Sequence, residues 1–64
     1  MDYAKIVETG RELCRLYEQQ IATMDRVRGK VADLTQAELD EYDRTQERIQ
    51  ELRYEIGKLV EASA

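Results

Sequence analysis

The segment VADLTQAEL (residues 31–39) separates two long helical patterns and decides the fold of the chain. Thr35 and Glu38 match a capping box, in which the side chain of each residue accepts a hydrogen bond from the backbone N–H of the other. Acidic side chains follow in the first turn, where a helix favours negative charge. The sequence therefore predicts a turn at about 33–35 and a second helix that starts at about residue 36.

The second helical pattern carries one narrow apolar stripe. In heptads abcdefg counted from Tyr42, positions a and d hold apolar residues and one threonine, which is the spacing of a coiled-coil seam. These residues are Tyr42, Thr45, Ile49, Leu52, Ile56 and Leu59. The pattern predicts a helix over about 36–61 that needs a single helical neighbour.

The first helical pattern carries a wider stripe. Counted in heptads from Tyr3, positions a and d hold Tyr3, Ile6, Gly10, Leu13, Tyr17, Gln20, Met24, Val27, Val31 and Leu34. Further apolar residues lie at position e (Val7, Cys14 and Ile21) and at position g (Leu16). The pattern predicts a helix over about 2–32, with positions a and d turned toward the second helix and the excess width left for a further neighbour.

The size and composition of the chain indicate that the hairpin needs support from outside. Its 64 residues allow one domain, 1–64. A chain this short buries only about 60% of the surface that it exposes when unfolded. A single cysteine excludes an intrachain disulfide, and the lack of histidine excludes a Cys/His zinc site. Oligomerisation is the remaining way to enlarge the core.

The predicted fold is all-α, an antiparallel and coiled-coil-like two-helix hairpin, because a short connection makes consecutive helices antiparallel neighbours. Such a hairpin leaves one side of the wider stripe in water, and pairing two hairpins into a four-helix bundle closes it. A two-fold homodimer is the commonest closed assembly. The residues expected at the interface with a second copy or another partner are Val7, Gly10, Cys14, Leu16, Tyr17, Ile21 and Met24.

Two small residues of the first helix permit more than one interpretation. Gly10 leaves room either for Ile56 of the second helix or for a second chain. Cys14 is expected to be a buried or half-buried small apolar residue, although Arg11 and Arg15 beside it would suit a reactive thiol.

Two further residues also have alternative interpretations. Gln20 at position d either sets the register of the helices or points to water while Ile21 packs. Tyr54, at the outermost position f of the second helix, is either an ordinary exposed aromatic residue or a contact for a partner.

Composition and motifs argue against an enzyme. The chain has no histidine, no glycine-rich phosphate loop and no nucleophile elbow, so we assign no catalytic, cofactor-binding or metal-binding residue. With 14 acidic and 10 basic residues, the protein is small and acidic, with a net charge of −4. This charge argues against a nucleic-acid interface. Such an interface would use Arg11, Arg15, Arg26, Arg28 and Lys30.

Signals for the membrane and for export are missing from the sequence. No apolar run approaches the ~20 residues of a membrane span, and no charged-then-apolar secretory signal opens the chain. A lone cysteine suits a reducing compartment. We therefore expect a cytoplasmic protein that does not enter the membrane.

In its layout of two helices joined at about 33–35, the chain resembles the Rop family of plasmid proteins, helical hairpins that dimerise into four-helix bundles. The part from LCRLYE (residues 13–18) to Leu52 is similar to small flagellar and type III secretion chaperones, which are acidic helical hairpins that hold an amphipathic helix of another protein. Both resemblances rest on layout and composition, so no residue role is transferred.

Three functions follow as expectations. The first is a small non-enzymatic interaction protein that acts through its amphipathic helical faces as a homodimer. The second is a chaperone or inhibitor that holds an amphipathic helix of a different protein. The third is a Rop-like nucleic-acid binder.

Overall fold

The structure of the chain, a computed structural model, describes residues 2–62. Two helices, α1 (Tyr3–Arg26) and α2 (Gln36–Ala62), pack against each other as a hairpin. A single 3₁₀ turn, Val31–Asp33, lies between them, and no strand occurs within residues 2–62. The hairpin measures 44 × 16 × 14 Å.

α1 begins at a side-chain cap. An Asp2 carboxylate oxygen accepts a hydrogen bond from the backbone N–H of Lys5 at 3.1 Å. This bond satisfies one of the N–H groups that the first turn of a helix leaves without a partner. The predicted start of the first helix at about residue 2 therefore agrees with the structure to within one residue.

α1 ends at Arg26, so the predicted end at about residue 32 is wrong. The backbone N–H of Gly29 donates to the carbonyl of Met24 at 2.9 Å, and that of Arg28 donates to Asp25 at 3.1 Å. This pair of bonds is a Schellman motif, which closes a helix with a residue in the left-handed region. Arg28 has φ 54° and Gly29 has φ 76°. The apolar pattern of the sequence continues past this turn, so the pattern did not indicate that the helix ends at Arg26.

α2 begins with both hydrogen bonds of the predicted capping box. The backbone N–H of Glu38 donates to Thr35 Oγ1 at 3.2 Å, and the backbone N–H of Thr35 donates to Glu38 Oε1 at 3.0 Å. The helix starts at Gln36 and runs to Ala62. The connection between the helices therefore spans residues 27–35 and is longer than the predicted turn at 33–35.

The core of the hairpin is small. Leu13 of α1 packs against Ile49 and Leu52 of α2, and Leu16 and Ile56 extend this cluster. Val27 and Leu34 are also buried, near the turn. α2 turns positions a and d toward α1, as predicted. Every residue at these positions is buried or half-buried: Tyr42, Thr45, Ile49, Leu52, Ile56 and Leu59.

α1 turns position d toward α2, as predicted, but its other inward position is g rather than a. Every residue of α1 at positions d and g is buried or half-buried: Ile6, Thr9, Leu13, Leu16, Gln20 and Thr23. Gln20 bridges the helices, since its Nε2 donates to Gln46 Oε1 at 2.9 Å. Gln20 therefore faces the second helix and does not point to water, which was the other interpretation. Position e and the two tyrosines at position a are left exposed, whereas Gly10 and Met24 at position a are half-buried.

Candidate interaction surface on α1

Seven residues of α1 at positions a and e form a continuous row along the helix, which we call the open stripe. Their spacing alternates between three and four residues, the spacing that lets one helix pack along another. Among them Tyr3 is 68% exposed, Val7 47%, Tyr17 41% and Ile21 60%. The open stripe consists of Tyr3, Val7, Gly10, Cys14, Tyr17, Ile21 and Met24.

Ion pairs close the opposite flank of the hairpin. Arg48 Nε of α2 donates to Glu12 Oε1 at 3.3 Å, and its Nη1 donates to Glu51 Oε2 at 3.0 Å. The hydrogen bond to Glu51, and to a smaller extent the one to Glu12, raises the pKa of Arg48 above its ordinary value. Arg26 forms a second ion pair between the helices, with Glu38.

These two interhelical pairs agree with the observed rotation of α1 from the predicted orientation. Glu12 and Arg26 both occupy position c, so both pull the same edge of α1 toward α2. Position c lies beside position g on the helix surface and opposite the open stripe. The apolar stripe of α1 is wider than one neighbour can cover, and these pairs favour burial of its g edge over its a and e edge.

Leu16, which the sequence placed at the interface with a partner, is half-buried within the hairpin. It lies at position g and packs against the core cluster of Leu13, Ile49 and Leu52. The other six predicted interface residues lie on the open stripe. Tyr3 also lies there, and its heptad position a was the signal that could have added it to the predicted set.

Gly10 and Cys14 are the two small members of the open stripe. A Cβ atom built at Gly10 meets no neighbouring atom within 4 Å, so Ile56 does not fill this space and the hairpin itself does not require a glycine. Cys14 is a free, exposed thiol in the hairpin, where the sequence predicted a buried or half-buried residue. Its exposure follows from the rotation of α1, which turns position e away from α2.

Tyr54 lies on the outer side of α2 and is 66% exposed, as predicted. The Lys58 ammonium nitrogen lies 4.8 Å from the centre of its ring. This is a cation–π contact between residues four apart on one helix. Contact between Tyr54 and a partner stays a prediction.

The basic residues considered for a nucleic-acid interface do not form an uninterrupted row. Arg26 pairs with Glu38, and Arg28 lies in the left-handed turn after α1. Arg11 and Arg15 border a shallow surface depression together with Glu8 and Glu12. The acidic neighbours lower the positive potential that a phosphate backbone would need.

A groove of about 350 Å³ lies between the helices at their turn end, lined mainly by polar side chains. Its walls include Gln19 and Thr23 of α1 and Glu41 and Thr45 of α2. Across residues 2–62, no group of three or more acidic or cysteine side chains is placed to hold a metal ion. No helix in the same range has the length and apolar character needed to cross a membrane.

No protein-family model, no curated protein and no solved structure matches the chain.

Proposed function

We propose that this chain is a small non-enzymatic interaction protein that acts through the open stripe of α1, and that its partner is a second copy of itself. The observation that carries this proposal is the open stripe, in which Tyr3, Val7, Cys14, Tyr17 and Ile21 are exposed and Gly10 and Met24 are half-buried. A solvated helix face normally carries polar residues, and a row at coiled-coil spacing is typical of a helix that packs against another.

The small core of the hairpin supports the proposal. Ile49 and Leu52 are the apolar side chains below 2% exposure within residues 2–62. Complete burial of one large aliphatic side chain stabilises a fold by about 1.5–3 kcal/mol. Ile21 is 60% exposed, so its burial by a partner would add a substantial share of such a contribution in each chain.

The angle between the two apolar faces of α1 suits a dimer with four helices. At 100° per residue, the face at positions d and g and the open stripe at positions a and e lie about 110° apart. In a square four-helix bundle each helix contacts two neighbours at roughly a right angle. We therefore propose a four-helix dimer in which α1 packs against α2 on one face and against the second chain on the other.

As part of the same proposal, we place the protein in the cytoplasm. Cys14 is a free thiol on the exposed surface of the hairpin. Exposed free thiols persist in reducing compartments, whereas secreted proteins usually pair their cysteines.

A pair of matched substitutions tests the role of the open stripe. Ile21→Asp places a charge in the middle of the stripe, and Tyr54→Asp places the same charge on the outer side of α2, at a residue of similar exposure. Sedimentation equilibrium from micromolar to submillimolar concentration measures the mass of each variant. We expect dimers for the natural chain and for Tyr54→Asp, and monomers for Ile21→Asp, because a buried unpaired charge costs several kcal/mol.

A natural chain that stays monomeric and helical over the whole range would contradict self-association. The open stripe would then be left for an amphipathic helix of a different protein, which is the chaperone interpretation. Dissociation of Tyr54→Asp to the same extent as Ile21→Asp would place the interface on a surface other than the open stripe.

A further inference from the structure

From the open stripe and its charged border we infer the geometry of the dimer: the α1 helices of two copies run antiparallel, with Cys14 opposite the partner's Tyr17. This inference rests on the proposed self-association. In this register Gly10 lies opposite the partner's Ile21, and Val7 lies opposite the partner's Met24. The two-fold axis crosses α1 midway between Cys14 and Tyr17.

The volumes of the side chains favour this register. Antiparallel helices alternate the two seam positions, so each residue at position e meets a residue at position a of the other chain. Every layer then combines a smaller side chain with a larger one: Gly10 with the partner's Ile21, and Cys14 with the partner's Tyr17. This pairing distributes small and large side chains more evenly among the layers than pairing like with like would, and even filling favours dense packing.

The charges beside the stripe favour the same register. Position b borders the open stripe on its solvent side, and in an antiparallel pair the two b rows face each other. Arg11 and Glu18 occupy this row, and neither forms an ion pair within residues 2–62. The proposed register brings Arg11 beside the partner's Glu18, and the two-fold axis produces this pair twice.

The competing arrangements lose one or both of these advantages. An antiparallel register shifted by one heptad in one direction places Gly10 opposite the partner's Cys14, which leaves a void, and sets Arg11 against the partner's Arg11. The register shifted in the other direction sets Glu18 against the partner's Glu18. A parallel pair stacks Gly10 on itself and Tyr17 on itself, so adjacent layers differ strongly in volume.

α2 contributes little to the contact between the chains. On the side of the hairpin where the open stripe lies, α2 presents its positions b and e, and the middle of these rows is polar and exposed: Gln46, Gln50 and Arg53. The contact is therefore centred on the two α1 helices, and the α2 helices flank them.

Cysteine cross-linking distinguishes the arrangements, with Cys14→Ser as the background in every sample. One variant adds Val7→Cys and the other adds Met24→Cys. In the proposed register, Val7 of one chain and Met24 of the other are adjacent, whereas two copies of Val7 lie about 25 Å apart along the helix axis at 1.5 Å per residue. Mixing the variants under mild oxidation should therefore give mainly the mixed disulfide dimer, identified by intact mass.

The same experiment separates failure of the inference from failure of the proposed function. Sedimentation of the unoxidised variants shows first whether they dimerise. A monomer contradicts the proposed function itself. If each variant forms disulfides mainly with its own copies, the dimer is parallel. If the dimer forms no disulfide at all, it uses another register or another face. Either of these two results overturns the antiparallel arrangement.

A charge exchange tests the register independently. Arg11→Glu and Glu18→Arg should each weaken dimerisation by about tenfold, because each turns two attractive pairs into repulsive ones. The double variant Arg11→Glu with Glu18→Arg should recover the natural dissociation constant. Arg15→Glu, at the outward position f, is the control and should leave the constant unchanged. If the double variant shows no recovery, Arg11 and Glu18 are not partners.

Discussion

At the scale of single residues, the end of α1 depends on two consecutive residues in the left-handed region. Arg28 has φ 54° and Gly29 has φ 76°. This conformation costs an L-residue with a side chain roughly 1–2 kcal/mol, but it costs glycine almost nothing. Gly29 is therefore well suited to its place, whereas Arg28 stores local strain at the position where glycine is the usual residue of a Schellman motif.

Substitutions at these two residues should change stability in opposite directions. Arg28→Gly should raise the free energy of unfolding by about 0.5–1 kcal/mol, because it removes the strain, in part offset by a more flexible unfolded chain. Gly29→Ala should lower it by about 1 kcal/mol, because it introduces a Cβ atom at φ 76°. Urea unfolding followed by circular dichroism measures both. Equal effects of the two substitutions would mean that the turn is not left-handed at these residues.

At the scale of the helices, each helix start is defined by a side-chain cap. The start of α2 is the more strongly specified, since Thr35 and Glu38 exchange two hydrogen bonds there. The ion pairs between the helices are exposed, and such pairs contribute only about 0–1 kcal/mol each. Both interhelical pairs lie on the edge of α1 opposite the open stripe.

Two threonines of the second helical region should respond differently to replacement by alanine. Thr35→Ala removes the cap of α2 and should lower the free energy of unfolding by about 1 kcal/mol. In the matched control, Thr45→Ala, the lost hydroxyl donates only to the Glu41 carbonyl at 2.9 Å, within the helix. Because alanine is the better helix former, this variant should change stability by less than about 0.5 kcal/mol. Thermal unfolding compares the pair, and a larger loss for Thr45→Ala would contradict the role of the cap.

At the scale of the whole molecule, one hairpin offers more apolar surface than its own core uses. The cluster around Leu13, Ile49 and Leu52 occupies the middle of a body 44 Å long. The open stripe runs along the outside of the same helix that supplies Leu13. Association and folding stability should therefore be linked, because a second chain that covers the stripe stabilises the folded state only.

This linkage predicts that thermal stability depends on protein concentration. The midpoint of unfolding of the natural chain should rise by several degrees between micromolar and submillimolar concentration, whereas that of Ile21→Asp should stay constant. Circular dichroism at 222 nm in cells of different path length measures both series under the same buffer conditions. A midpoint of the natural chain that does not change with concentration would show that its stability is that of a single hairpin.

The open stripe could be predicted from the sequence only in part. The width of the apolar pattern already placed Val7, Cys14 and Ile21 in the set expected to face a partner. It also placed Leu16 there, because position g and position e both widen a seam centred on a and d. The pattern alone does not tell which of these two edges meets the second helix, so the sequence could not separate Leu16, which packs against the core of the hairpin, from the residues of the open stripe.

The sequence by itself determined the helices, the hairpin and the cap at Thr35, because these features depend on residues a few positions apart. Only the tertiary structure decided where α1 ends and which edge of its stripe is buried. The end depends on the backbone conformation of Arg28 and Gly29 within an apolar pattern that continues beyond them. The rotation depends on small energy differences between distant residues, such as the pair of Glu12 with Arg48. The segment at 31–39 thus separates the helices, but contacts between them determine that α1 presents an apolar row to a partner.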